Sequence, residues 1–412
     1  MENTYIVGAG MTPFGKLLSL SVKDLTHQAV EGALSDAGIG KEAVEGAFFG
    51  NVTQGHMEGQ QMIRGQIALR AMGIERIPVV NIENACATSS TALNLAAAFV
   101  QSGQGDVALA IGVEKMYSKD RARMLSVFDS GWDISEVEES KKRLLQFDQG
   151  MEIPEGSTSS QPYSVFLDIY GASAREHMKR YGTTQRQVAA VAAKNHVHSQ
   201  HNERAQYREA MTIEQVLGAP PITYPLTMPM CSPISDGAAA VVVCNEAGLK
   251  KLGINRSRAI RILASIIQTG SDRDHSDRAG ACTTLAARRA YERAGIAPSD
   301  VSVAEVHDAT AFGEIVQTEN LGFCAFGDGG RIAEHGDTAI GGRIPVNPSG
   351  GLESKGHPIG ATGLGQVFEL VAQLRGEAGK RQVEGARIAL SENGGGLIGL
   401  EEAVACVTIL GR

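Results

Sequence analysis

The chain runs through one structural pattern twice, and this constrains its fold more than any other feature. The segment "AVEGALSDAGIGKEAVEGAFFGN" from Ala29 resembles "AARRAYERAGIAPSDVSVAEVHD" from Ala286. In each, a helix stops at Ala-Gly-Ile, with Gly38 and Gly295 as terminators, and a short linker leads into a strand. Further along, Val80-Asn81 precedes "ACATSSTAL" and Val346-Asn347 precedes "GHPIGATGL". Laid together, Cys86 falls opposite His357, Thr91 opposite Thr362 and Leu93 opposite Leu364. Short apolar runs such as "DVALAIGV", "AAAVVVC" and "RIALSEN" alternate with longer amphipathic segments, the pattern of strands buried on both faces. The expected architecture is α/β, built from two duplicated halves.

The first half takes residues 1–117 and 236–256, and the second takes 257–412. Between them, 118–235 differs in texture: it holds Trp132, charged helices and the proline-rich "APPITYPLTMPMCSP". It reads as an inserted loop domain, mounted on the paired halves where it can cover a ligand.

Composition narrows the function. With 43% apolar and 20% charged residues the chain is an ordinary globular protein, and a net charge of -8 without any basic block argues against nucleic acid. No apolar run approaches the roughly 18 residues of a membrane span. The first residues read directly as a strand without a leader, and "TILGR" is no peroxisomal address, so a cytoplasmic location is expected. The six cysteines (Cys86, Cys231, Cys244, Cys282, Cys324, Cys406) form no CxxC pair, which fits a reducing compartment.

Cys86, in "NIENACATSST", stands at a helix mouth among small residues. Unpaired N–H groups and the positive end of the helix dipole favour thiolate over thiol there. A single cysteine is more often a packed core residue, but the duplication sets His357 at the same station of the other half. Two helix mouths would then face one cleft, one carrying a nucleophile and the other a base. The surroundings of His357, "NPSGGLESKGHPIGATG", are rich in glycine and allow an extended ligand to approach closely. The remaining cysteines read as packing residues.

The blocks "ENACATSSTAL", "SDGAAAVVV", "VHDATAFGE" and "GGLESKGHPIGATG" resemble, in order, the signatures of the thiolase superfamily, and "VHD" resembles its sterol-carrier-protein and archaeal branch. The resemblance implies a five-layered αβαβα sandwich with a loop domain in the N-terminal half. It implies an acyltransferase that cleaves a 3-oxoacyl-CoA with CoA through an acyl-cysteine, needing no cofactor or metal beyond CoA as co-substrate. Carried over, Cys86 is the nucleophile, His357 its base, and His307 a donor to the thioester oxygen. The amides of Cys86 and Gly394 form a second oxyanion pocket, and Ser232 contacts the pantetheine arm.

The resemblance further implies a homodimer or dimer of dimers. In this branch it also implies a small zinc-ribbon and OB-fold partner, with bulky aromatic substrates such as benzoylsuccinyl-CoA among those acted on. One departure stands out: where the family places a second acid/base cysteine, this chain has Ala309 and Glu392. A buried Glu392 with a raised pKa is one candidate for that role; the alternative is an ordinary strand-end glutamate, with a histidine or water in its place. Two rival readings stay open: a carbon–carbon lyase or Claisen-type acyltransferase, and a catalytically silent subunit that binds CoA esters.

Three other features read as inert. His196, His198 and His201 lie on a predicted solvated helix without metal-binding spacing. "GAGMTPFG" is a strand-to-loop turn and not a dinucleotide motif. "SEVEESKKR" is a solvated helix face.

Overall fold

The structure, a computed structural model, describes residues 3–144, 146, 150–274 and 276–412. Nine strands form its main sheet: β1 (Thr4–Met11), β2 (Gly46–Gly50), β3 (Val79–Ile82) and β4 (Val107–Glu114) come before the insertion. β5 (Pro221–Thr223) and β6 (Leu226–Thr227) make a separate small ribbon. β7 (Gly237–Asn245), β8 (Ile260–Thr269), β9 (Val303–Glu305), β10 (Ile388–Ile398) and β11 (Glu401–Gly411) complete it.

The strand order β3-β2-β4-β7-β1-β8-β11-β10-β9 is a palindrome of pairings. Parallel β2–β4 matches parallel β9–β10, antiparallel β4–β7 matches β10–β11, and β7–β1 matches β11–β8. The edge strand β3 has a single counterpart bridge, Ala304 to Val346, again parallel. The halves join where Tyr5 and Ile6 pair with Arg261 and Ile260.

Alternation along the strands separates two cores. In β4, Val107, Leu109, Ile111 and Val113 face the outer Val22–Ala37 helix, while Ala108 and Ala110 face the central layer. The small residues let two 14-residue helices, Thr88–Gln101 and Thr362–Arg375, pack against both half-sheets at once. The outer helix of the second half, Cys282–Ala294, covers β8 and β11. This is the five-layered sandwich.

Each outer helix ends on a left-handed glycine, Gly38 at φ 70° and Gly295 at φ 68°, as the repeat required. Two expectations change. Gly8 and Gly10 lie inside β1 and not in a turn; a Cβ on either would lie about 2 Å from a carbonyl of the Val22–Ala37 helix (2.1 Å from Ala33 O, 2.2 Å from Ala29 O), so they permit close helix–strand packing. The alignment of the two helix mouths also shifts. Both mouths are a three-residue turn followed by threonine: Ala85–Ala87 then Thr88, and Ile359–Ala361 then Thr362. Thr362 therefore matches Thr88 and not Thr91, Cys86 matches Gly360, and His357 comes from the loop three residues earlier. "ATSSTAL" holds two threonines nearly one helical turn apart, and either register keeps the apolar face inward.

The insertion docks on the second half. Its Val165–Tyr181 and Gln185–Ser199 helices share a core with Phe312 and Ile315 of the Ala311–Asn320 helix. Among the described residues no helix is long and apolar enough to cross a membrane.

Candidate active site

Cys86 follows a tight corner. Ala85 adopts φ 47°, a left-handed conformation that costs a non-glycine residue about 1–3 kcal/mol. The corner is held by Glu83 Oε1, which accepts the Ala85 N–H at 2.7 Å, and by the Thr88 hydroxyl, which donates to the Ala85 carbonyl at 2.6 Å. The side chain thus stands at the N-terminal mouth of the Thr88–Gln101 helix, on the positive side of its dipole.

His357 and His307 converge on it: the sulfur and one ring nitrogen from each imidazole all lie within 4.8 Å of one another. The two rings meet edge to face with centroids 5.2 Å apart. For His357 the hydrogen bonds define the tautomer. Thr362 Oγ1 donates to the Pro358 carbonyl at 3.1 Å, so it accepts from His357 Nδ1 at 2.7 Å and leaves Nε2 with a free lone pair. The His357 amide is tied to Ser235 Oγ at 3.0 Å. Burial, and then the neighbouring His307, hold His357 well below the usual histidine range, so it is a neutral base at pH 7. For His307 the largest influence, burial, also pulls downward. The close approach of Cys86 and of the Glu402 carboxylate, 3.8 Å from Nδ1, outweighs that and raises it well above the ordinary value. One imidazole is kept as an acceptor and the other as a cationic donor.

Glu392 is fully buried behind His307, accepts the His307 N–H at 2.9 Å, and is pushed up to about 8 by burial and then by the Glu402 charge. It does not line the cavity. Of the glutamates that do, Glu402 is the one beside the catalytic imidazoles, 3.8 Å from His307 Nδ1, a residue the sequence reading missed. Its only sequence signal is the pair Glu401-Glu402 opening the otherwise apolar "AVACVTIL" opposite the glycine run of β10. Glu401 is structural: it accepts from Ser271 N, Arg273 Nε and Cys282 N.

The glycines of β10 are required by contact. A Cβ at Gly394 would fall 1.9 Å from Glu402 Oε1, and one at Gly395 would fall 2.8 Å from the Cys86 amide nitrogen and 2.9 Å from that of Ala87. Gly395 and Gly396 line the cavity, whereas Gly394 does not. Ile388 turns its N–H and C=O toward Ser302, away from β11, and strand alternation carries the same direction to Gly394, beyond the last β9 pairing.

These groups open onto a cavity of about 1320 Å³, larger than the 300–1,000 Å³ typical of small-ligand sites. Both halves and the insertion line it, the insertion supplying Phe128, Phe166 and Tyr170. Phe166 stacks on Trp132 at 5.6 Å. Ser232 lines it too, its amide bonded to the Ala309 carbonyl at 3.0 Å. Cys231 and Cys282, read as packing residues, also reach the wall; burial pushes both thiols up, as it does Cys244, Cys324 and Cys406.

The histidine helix needs correction. His201 is exposed, but His196 and His198 are buried because the Gln185–Ser199 helix is packed on several sides. His198 donates from Nδ1 to the Asn347 carbonyl at 2.9 Å and accepts the Ile340 N–H, and burial lowers it to about 3. Among the described residues the groups spaced to share a metal ion are Cys86, His307 and His357 themselves.

Residues 4–220 match the thiolase N-terminal domain and 266–412 the thiolase C-terminal domain-like family. The chain is 39% identical to the acetyl-CoA acetyltransferase of Methanothermobacter thermautotrophicus, over 96% of this chain and 97% of that one. It is 38% identical to sterol carrier protein 2 of Bos taurus, over 95% of this chain and 70% of the other. Among solved structures it is similar in fold to an Ltp2–ChsH2(DUF35) aldolase (TM-score 0.75, 22% identity, 100% and 98% coverage). Human mitochondrial 3-ketoacyl-CoA thiolase in complex with CoA is similar at TM-score 0.69 and 19% identity, with 100% and 98% coverage. With both halves matched in order, the chain belongs to the thiolase family and is an acyltransferase of that family.

Proposed function

We propose that this enzyme cleaves a 3-oxoacyl-CoA with CoA through an acyl group carried on Cys86. The observation that carries this reading is the convergence of one sulfur and two oppositely tuned imidazoles within 4.8 Å. His357 Nε2 takes the Cys86 proton, and the sulfur attacks the 3-keto carbon. Cationic His307 donates to the thioester oxygen as the enolate forms. The amides of Cys86 and Gly394 hold the oxyanion at C3; such donors are each worth roughly 2.7–4 kcal/mol of barrier. Ser232 contacts the pantetheine arm. No metal or cofactor is used.

The size of the cavity and its aromatic wall support a bulky, aromatic acyl group, with benzoylsuccinyl-CoA as an example of the class. Self-association is part of the reading: β3 is an open sheet edge whose Val80 is exposed, and Met62 at 76% and Ile63 at 57% exposure lead into the Arg64–Arg70 helix that is hydrogen-bonded to it. A homodimer or dimer of dimers working in the cytoplasm, with a zinc-ribbon OB-fold partner, completes the proposal; the Ltp2 neighbour is itself paired with a DUF35 protein.

Incubation with a panel of 3-oxoacyl-CoA thioesters of increasing bulk, followed by mass spectrometry, is expected to show the acyl mass on Cys86. Cys86→Ala should lose activity by at least about 10³-fold with an unchanged fold. Turnover without any adduct would favour the lyase reading, and full activity of Cys86→Ala within a complex would favour a silent subunit.

A further inference from the structure

We infer that Glu402 is the second proton-handling group of this site, a role that rests on the thiolase reading above. Three observations place it there. Its carboxylate lines the same cavity wall as Cys86, His307 and His357, with 21% of the side chain exposed. Its position is built: Thr283 Oγ1 donates to Oε2 at 3.1 Å, Gln317 Nε2 donates to Oε1 at 3.1 Å, and Gly394 leaves the space the carboxylate fills. Ala309, also on the wall, offers only a methyl group, while Glu392 is sealed behind His307. The titratable groups facing Glu402 are His307, Glu392, Tyr170 and Cys282.

The step balances as follows. Sulfur of Cys86 bonds to C3, the C2–C3 bond breaks with its electron pair going to C2, and C2 takes a proton that passes to it from cationic His307 through the Glu402 carboxylate 3.8 Å away. The incoming CoA thiol then gives its proton to the Glu402 carboxylate as its sulfur takes the acyl group, and Cys86 leaves as thiolate. Glu402 returns that proton to His307 and ends as the carboxylate it began as.

The test uses the full-length enzyme and three readouts: thiolysis kcat, exchange of acetyl-CoA C2 hydrogens with solvent deuterium, and alkylation of Cys86 by iodoacetamide. Glu402→Gln is expected to lower kcat and C2 exchange by about 10²–10⁴-fold, with KM and the alkylation rate within about threefold. Glu402→Asp should recover at least tenfold. Exchange and kcat within threefold of wild type in Glu402→Gln, or parallel loss of alkylation with no recovery in Glu402→Asp, would overturn the assignment. If the glutamine variant does not fold, the aspartate variant decides: a shifted pH–kcat profile at constant KM sustains the role, and an unchanged profile removes it. A wild-type enzyme that forms no acyl-Cys86 sinks the thiolase reading as well, whereas a wild-type adduct with undisturbed exchange in the variant sinks Glu402 alone.

Discussion

His307 and His357 stand 5.2 Å apart, yet their environments drive them in opposite directions. Burial costs both rings their charged form, but only His307 has Cys86 and the Glu402 carboxylate beside it to restore it. His357 instead faces a cation. The two shifts define a pH window with a definite sign. Falling pH protonates His357 at a value below the ordinary 6.5 and removes the base. Rising pH deprotonates His307 at a value above 6.5 and removes the donor. The kcat/KM profile should therefore be a bell spanning neutrality, broader than two unperturbed histidines could give. Replacing Glu402 by Gln removes one source of the upward shift, so the alkaline limb should move toward lower pH. An alkaline limb that stays in place in that variant would contradict this account of His307.

The strands and helices that hold these residues were legible in the sequence to different degrees. The repeated Ala-Gly-Ile stops, the buried strands and the two helix mouths follow from local pattern, because glycine in a left-handed cap and period-2 burial are written in consecutive residues. The pairing of the mouths was readable only to within one helical turn, and that shifted Cys86 from His357 to Gly360. Glu402 was illegible because its role comes from the β10–β11 hairpin, which lays it over a glycine eight residues earlier. The burial of His196 and His198 depends on how the insertion docks, which no local pattern encodes. The hairpin also yields a prediction. Gly395→Ala places a methyl carbon 2.8 Å from the Cys86 amide, against backbone that cannot step aside. A loss of about 1–3 kcal/mol of stability and at least tenfold in kcat is expected, measured by urea denaturation and thiolysis. Gly336→Ala, where nothing lies within 4 Å but φ is 83°, serves as a comparison in which stability drops without the loss of kcat.

At the scale of the molecule, the insertion supplies one wall of the cavity and is fixed to the second half through a joint that is polar for a buried surface. Lys194 of the insertion donates to Glu314 Oε1 at 2.5 Å and to the Val346 carbonyl at 2.8 Å, all buried. Asn195 beside it reaches Asp308, Glu314 and Glu353 at 3.1–3.2 Å. Four buried carboxylates, Glu305, Asp308, Glu314 and Glu353, are matched by two ammonium groups, Lys194 and Lys355. The excess is met by protonation: burial, and then the Glu314 charge, push Asp308 up to about 8, and burial, then the Asp308 charge, hold Glu353 well above the ordinary carboxylate range. Removing Lys194 leaves Glu314 facing this set without its cation, and breaking one side of a buried pair costs about 3–5 kcal/mol. Lys194→Met should lower the urea midpoint accordingly and reduce kcat/KM through a loosened cavity wall. Adding Glu314→Gln should recover at least half of the lost stability, since it removes the stranded charge while keeping an acceptor for Asn347 and Asn195. If the single variant is as stable as the wild type, or the double variant less stable than the single, the joint is held by its apolar contacts with Phe312 and Ile315 and the ion pair is incidental.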